Sequence, residues 1–401
     1  MPPKDFIPVA RPHLGQEEVS AAGRAILSGW VTQGPEVAAF EKEFAAYVGA
    51  PHACAVSSGT TALHLALLAV GIQPGDEVIT VSHSYIATAN SIRYCGALPV
   101  FVDIEPQTFN IDSRKIDAAI STRTRAILCV HQMGLPCDLK SILKIAHTHN
   151  LRVVEDAACA IGSEILWGTN WEKIGKPHAD VACFSFHPRK LLTTGDGGML
   201  TTADGEIDRK FRLWRQHGMS VPDTVRHASP KAVFESYPEL GFNYRMTDIQ
   251  AAVGREQLKR LPKAISHRRQ LATRYHRLLS DVPGLILPVE PEWARTNWQS
   301  YCVRLPEGVD QREVMQQLLD EGIATRRGIM CSHLEPAYRD PSTWRCAQVE
   351  CKPGGNCANL AESERAQREA IILPLFDEIN EAQQTRVAQS LLRACCVASQ
   401  A

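Results

Sequence analysis

The sequence predicts an α/β protein built on a mostly parallel sheet with helices on both faces, followed by a smaller C-terminal α/β domain. Three observations carry this. Short apolar runs alternate with helical patterns from residue 53 to residue 186. Several runs, such as Val100-Phe101-Val102, are apolar on consecutive residues, as strands buried on both faces must be. A chain of 401 residues is also long enough for two cores, read here as a large domain (1–255, with an N-terminal arm) and a small one (256–401).

After the arm, residues 16–28 and 36–48 have helical patterns, separated by Gly29-Trp30-Val31-Thr32-Gln33-Gly34-Pro35. Strands are predicted at 53–56, 77–81, 99–104, 126–131, 151–155 and 181–186, with helices at 61–70, 86–94, 113–120 and 139–149 between several of them. Residues 248–279 read as a helix with one charged side, interrupted at Pro262, that links the two domains. Beyond it the pattern predicts strands near Leu285 and Tyr301, a helix at 311–321 and a last helix after Glu378. Residues 341–355, rich in Pro, Gly and Cys, read as a loop or flap.

The net charge of −1, from 43 basic and 44 acidic side chains, gives no electrostatic case for nucleic acid or a membrane surface. The longest apolar run, 62–70, is too short to span a bilayer and contains His64, and the first residues lack an apolar signal region. Thirteen cysteines, an odd number, favour a reducing cytoplasm, where Cys54, Cys129, Cys183 and Cys302 are small buried hydrophobes with free thiols. Cys346, Cys351 and Cys357, with Cys331 and His333 upstream, are a zinc candidate, but their spacing matches no paired knuckle. A loop with incidental thiols is the preferred reading.

Three segments carry chemistry. Ser57-Ser58-Gly59-Thr60-Thr61 opens an apolar helix, where free N–H groups and the positive dipole end favour a phosphate; an ordinary N-cap is the plainer account. Asp156 ends an apolar strand, where it can hold a pyridine nitrogen protonated, or simply cap a helix. Lys190 lies in Phe184-Ser185-Phe186-His187-Pro188-Arg189-Lys190, on a loop leaving a buried strand and running into Gly195-Asp196-Gly197-Gly198. There it reads as a nucleophilic amine, against the alternatives of a solvated lysine or a tight turn. Ser185 faces away from Phe184 and Phe186 and can add a hydroxyl to the phosphate, while Tyr85 offers a ring to stack on or is plain core. A phosphate cradle, a strand-end carboxylate and a loop lysine are the protein groups that pyridoxal phosphate needs, so the residues point to Schiff-base chemistry on a carbonyl.

Over nearly its full length the sequence resembles the sugar aminotransferases of the DegT/DnrJ/EryC1/StrS family, fold-type I pyridoxal phosphate enzymes. The resemblance rests on Ser58-Gly59-Thr60-Thr61-Ala62-Leu63-His64-Leu65-Ala66, Pro74-Gly75-Asp76-Glu77-Val78-Ile79 and Pro99-Val100-Phe101-Val102-Asp103-Ile104. It continues through Glu155-Asp156-Ala157-Ala158, Phe184-Ser185-Phe186, Lys190, Thr194-Gly195-Asp196-Gly197-Gly198 and Gly241-Phe242-Asn243-Tyr244-Arg245-Met246. It implies a mostly parallel seven-stranded sheet and pyridoxal 5'-phosphate held covalently by Lys190, with Asp156 on the ring nitrogen and Tyr85 on the ring face. Ser58, Gly59, Thr60 and Ser185 would hold the phosphate, and Asn243 would complete the site of a neighbouring subunit in an obligate homodimer.

The chain departs from the family pattern at Cys159, where glutamine or glutamate commonly contacts the cofactor, at His187-Pro188-Arg189, and at His333-Leu334-Glu335-Pro336 after Arg326-Arg327. Some relatives replace the lysine with histidine and dehydrate; lysine here implies transamination. The resemblance implies amino transfer from L-glutamate to a nucleotide-linked keto-sugar. GDP- or dTDP-4-keto-6-deoxyhexose 4-aminotransferases look most alike, notably at Gly29-Trp30-Val31. Trp30, His187, Arg326, Arg327 and His333 are the substrate-side candidates, the arginines and His333 for a diphosphate or donor carboxylate. A keto-cyclitol acceptor, or a catalytically idle binding protein, is the alternative.

Overall fold

The computed structural model describes residues 5–347 and 357–398. Helices α1 (Gln16–Leu27) and α2 (Pro35–Val48) precede strand β1 (His52–Val56). Strands and helices then alternate through α3 (Gly59–Ala69), β2 (Glu77–Val81), α4 (Ala87–Tyr94), β3 (Leu98–Val102), β4 (Thr124–Val130), α5 (Leu139–Thr148) and β5 (Arg152–Asp156). A hairpin of β6 (Glu164–Trp167) and β7 (Asn170–Lys173) leads to β8 (Val181–Ser185) and β9 (Gly198–Thr202). Helices α6 (Gly205–Trp214), α7 (Asp223–Ala228) and the 32-residue α8 (Asp248–Leu279) follow. The remainder comprises β10 (Ala294–Arg295), β11 (Tyr301–Arg304), α9 (Gln311–Asp320), β12 (Arg326–Arg327), β13 (Arg345–Cys346), α10 (Ala361–Glu369), β14 (Ala370–Leu373) and α11 (Glu381–Ala398).

The main sheet runs β1-β9-β8-β5-β4-β2-β3-β13, with every pairing parallel except the two made by β9. Alternate strand residues feed two cores: Ile79, Ile127 and Val153 pack under α2, α5 and the first half of α8, whereas Val78, Leu128 and Val154 pack under α3. A further core collects Leu271, Tyr275 and Leu279 from the second half of α8 with Tyr301, Val303, Ile371, Leu373 and Leu391, and Ile7 of the arm packs into it. Helix α8 therefore contributes to the sheet core and to the C-terminal core.

Four local expectations are corrected. The predicted break at Pro262 is absent, because burial of Leu258, Leu261 and Ile265 along one face outweighs the single hydrogen bond that proline removes. Residues 113–120 form two 3-10 turns, Ser113–Lys115 and Asp117–Ala119, the first pinned when the Asp112 carboxylate accepts the Arg114 N–H at 3.1 Å. Within the expected 341–355 loop, β13 pairs with the edge of β3 as an eighth strand, anchored by the Arg345 guanidinium on Glu77. Cys346 in that stretch is disulfide-bonded where a free thiol was expected, and Cys351 lies outside the described residues. Among the described residues no His/Cys/Asp/Glu group is placed to hold a metal, and no helix is long and apolar enough to cross a membrane.

The start of α2 depends on a residue distant in sequence. The buried Asp248 carboxylate accepts the N–H groups of Gly34 at 2.7 Å, Glu36 at 3.0 Å and Val37 at 3.0 Å, tying α2 to the start of α8. Asp248→Ala should cost about 1–3 kcal/mol by leaving these donors without acceptors, read as a lower urea midpoint. An unchanged midpoint would show that the link contributes nothing.

Candidate active site

The parallel strands deliver their carboxyl ends to one edge of the sheet, where open α/β sheets bind ligands. β5 ends there in Asp156 and β8 in Ser185, while β1 ends in Val56, from which the chain turns into α3. Antiparallel β9 starts at the same edge, and its first residue, Gly198, pairs with both Val56 and Ser185. The backbones are pressed together: a Cβ on Gly59 would lie 2.7 Å from that of Ser185, and one on Gly198 only 2.4 Å from the Ser58 carbonyl oxygen. Only glycine fits at either position.

Ser58 caps α3: its Oγ accepts the Thr61 N–H at 3.1 Å, and Thr61 Oγ1 accepts the Ser58 N–H at 3.0 Å. The N–H groups of Gly59 and Thr60 precede any intrahelical acceptor, so they and the positive end of α3 face a cavity of about 400 Å³. Ser58, Gly59, Thr60, Tyr85 and Ser185 line it, as do Asp156, Cys159 and Lys190.

Asp156 is buried beneath the cavity. Its Oδ2 accepts the Thr88 hydroxyl at 2.8 Å and its Oδ1 accepts the Ala158 N–H at 3.2 Å. Burial nevertheless holds its carboxyl above the usual carboxylate range, against these hydrogen bonds and the Lys190 charge. Beside it, at the end of β4, His131 Nδ1 accepts the Cys137 N–H at 2.9 Å. Its Nε2–H is donated to Glu155 at 2.9 Å.

Lys190 ends a tight turn in which its N–H donates to the His187 carbonyl at 2.8 Å. Gln299 clasps this turn from a distant part of the chain, donating Nε2–H to the Arg189 carbonyl at 2.6 Å and accepting the Leu191 N–H at 3.2 Å. The ammonium reaches into the cavity and donates to Cys159 Sγ at 2.9 Å.

His187, Arg326 and Arg327 also line the cavity. Partial burial, then Arg189, hold the His187 imidazole below its usual pKa. The other candidates lie elsewhere. His333 is buried, with Nδ1 on the Ser82 hydroxyl at 2.6 Å and Nε2 on Glu364 at 3.2 Å. Trp30 donates its indole N–H to the Gln33 carbonyl at 3.0 Å, and Asn243 is exposed, its sequence neighbours Phe242 and Tyr244 stacking their rings on each other. Sequence reasoning missed Thr88, His131, Arg189 and Gln299. For Thr88 a signal existed, since it follows Tyr85 by three residues, at the start of the helix that Tyr85 precedes; His131 stands at a strand's carboxyl end. Gln299 carries none.

The clasp makes a measurable claim. Gln299→Ala should raise the hydrogen-exchange rate of the Leu191 amide about tenfold or more, since that N–H loses its acceptor. Unchanged exchange there would show that the turn holds itself.

Comparison with known proteins agrees with this geometry. The model of the DegT/DnrJ/EryC1/StrS aminotransferase family matches residues 12–392. The chain is 42% identical over 338 residues to the spore coat polysaccharide biosynthesis protein SpsC of Bacillus subtilis, covering 83% of this chain and 86% of that one. It is also 42% identical over 344 residues to GDP-perosamine synthase of Caulobacter vibrioides, covering 84% and 88%. The solved structure of S. venezuelae DesV matches with a TM-score of 0.85 at 33% identity, covering 97% of this chain and 98% of that one. The matches run through the sheet edge and the lysine turn alike, and the chain belongs to the DegT/DnrJ/EryC1/StrS family of pyridoxal-phosphate-dependent aminotransferases.

Proposed function

We propose that this enzyme moves the amino group of L-glutamate to the keto group of a nucleotide-linked 4-keto-6-deoxyhexose, using pyridoxal 5'-phosphate held by the residues above. The observation that carries the reading is the convergence of Lys190, Asp156 and the α3 N-terminus on one cavity, and the likeness to GDP-perosamine synthase supports the sugar. The cavity fits the cofactor on its own terms. The glycine contact at Gly59 clears backbone N–H groups for a phosphate, and Asp156 is a buried carboxylate held above its usual pKa. Such a group calls for a cationic partner such as a protonated ring nitrogen.

Ser58, Gly59, Thr60 and Ser185 would hold the phosphate, and the exposed Tyr85 would cover one ring face. Asp156, steadied by Thr88 and Ala158, would keep the proton on the ring nitrogen. When bound, pyridoxal phosphate supplies an electron sink for the carbon that loses its proton. Lys190 would carry the remaining chemistry: its amine would take a proton from the α-carbon of the donor in one half-reaction and deliver a proton to the carbon that receives nitrogen in the other. The Gln299 clasp fixes the starting point of that amine, and Cys159, at 2.9 Å, gives it a resting partner.

The cavity of one chain receives nothing from Asn243, which is exposed, as are Leu27, Phe234, Tyr237 and Leu240. These side chains support a homodimer in which Asn243 serves the partner's site, in a cytoplasmic enzyme whose domains divide within α8 near residue 255.

Lys190→Ala should abolish turnover of GDP- or dTDP-4-keto-6-deoxyhexose with L-glutamate, while the phosphate cradle still retains cofactor. Asp156→Asn should slow turnover about 10²-fold or more by weakening the ring proton. Release of 2-oxoglutarate and cofactor absorbance measure both. Full turnover by Lys190→Ala would overturn the assignment of the lysine, and no amination of either sugar by the wild type would overturn the acceptor.

A further inference from the structure

Two guanidinium groups in the cavity have no anionic partner. Arg189 and Arg326 both line it, from the lysine turn and from β12, and neither forms an ion pair among the described residues. The nearby Glu335 carboxylate is already occupied, accepting from Arg327 at 3.2 Å. The ionisable groups acting on Arg326 are Arg189, Arg327 and Tyr85, none of them a carboxylate. Loss of hydration, followed by the like charges of Arg189 and Arg327 and opposed by Tyr85, holds the Arg326 guanidinium below its usual range. Both side chains are exposed at the cavity mouth, where solvent screens them while the cavity is empty and leaves two unpaired cations to meet an anionic ligand.

The position selects the ligand. Arg189 immediately precedes Lys190, and its backbone is held by Gln299 and by the His187 ring, which accepts the Arg189 N–H at 3.2 Å. The two side chains therefore start about 3.8 Å apart at their Cα atoms and enter the same space. In an amino acid the carboxylate hangs on the carbon that bears the exchanging nitrogen, so it must sit next to the lysine amine. In a nucleotide-linked sugar the diphosphate is separated from the keto carbon by several bonds of ring and linkage. Guanidinium forks match carboxylates in two-point geometry.

We propose that Arg189 and Arg326 together form the recognition site for the two carboxylates of a dicarboxylic amino donor, and so set the enzyme's choice of glutamate over monocarboxylic amino acids. This rests on the transaminase reading of the cavity and deepens it. Arg327 and His333, which are already paired, take no part in donor binding.

Glutarate, a dicarboxylate without an amine, isolates recognition from chemistry. Calorimetric titration of both cofactor-loaded and cofactor-free wild type should show glutarate binding at least about tenfold tighter than butyrate. Arg189→Gln and Arg326→Gln should each weaken glutarate about tenfold or more, and leave GDP and dTDP binding unchanged. Arg326→Lys, which keeps the charge but loses the fork, should fall between wild type and Arg326→Gln. The inference fails if wild type does not prefer glutarate, or if either glutamine variant keeps glutarate and loses the nucleoside diphosphate. Cofactor-free protein that binds glutarate but acquires no cofactor absorbance would sink the transaminase reading and leave the dicarboxylate site standing.

Discussion

The site depends on one steric constraint: three backbones meet at the carboxyl edge of the sheet with no room for a side chain between them. Gly59 lies against Ser185, and Gly198 against the Ser58 carbonyl. Gly198 is the hinge of this arrangement, since it pairs with the last residues of both β1 and β8. Inserting the antiparallel β9 there sets the helix start that offers free N–H groups beside the strand that launches the lysine turn. Any Cβ at these contacts would part the cradle from the lysine before any catalytic group was touched.

Around that meeting point charge is arranged by burial as much as by pairing. Asp156 keeps a raised pKa because desolvation outweighs the Thr88 and Ala158 hydrogen bonds. The neighbouring His131 is tied between Cys137 and Glu155, which fixes the ring beside the Asp156 carboxyl. Towards the mouth the exposed Arg189 and Arg326 form no ion pair among the described residues. A cavity with a buried acid at its floor and free guanidinium groups above it favours a ligand cationic at one end and anionic at the other.

Much of this was legible in the residues because the strongest signals are local. Consecutive apolar residues marked β1, β2, β3, β4 and β5, and the residues at the carboxyl ends of β5 and β1 exposed Asp156 and the Ser58–Thr60 turn as site candidates. What stayed hidden depends on contacts between distant segments. The strand β9 carries only two large apolar side chains, Met199 and Leu200, after a glycine turn, so it has no periodicity of its own; its identity comes from two neighbours. Pro262 signals a break that only the packing of Leu258 and Ile265 cancels. Gln299 reaches the lysine turn from another region, and nothing in its local sequence marks it. His333 looked like a ligand for substrate, yet Ser82 and Glu364 claim both nitrogens, which only the tertiary fold can show.

The central claim is chemical: one amine, that of Lys190, holds the cofactor at this edge. Borohydride reduction of the protein loaded with pyridoxal phosphate, followed by peptide mass spectrometry, tests it without any substrate. The account requires a phosphopyridoxyl group on Lys190, with the label lost in Lys190→Ala. Labelling spread over surface lysines, or none at Lys190 in folded protein, would contradict it.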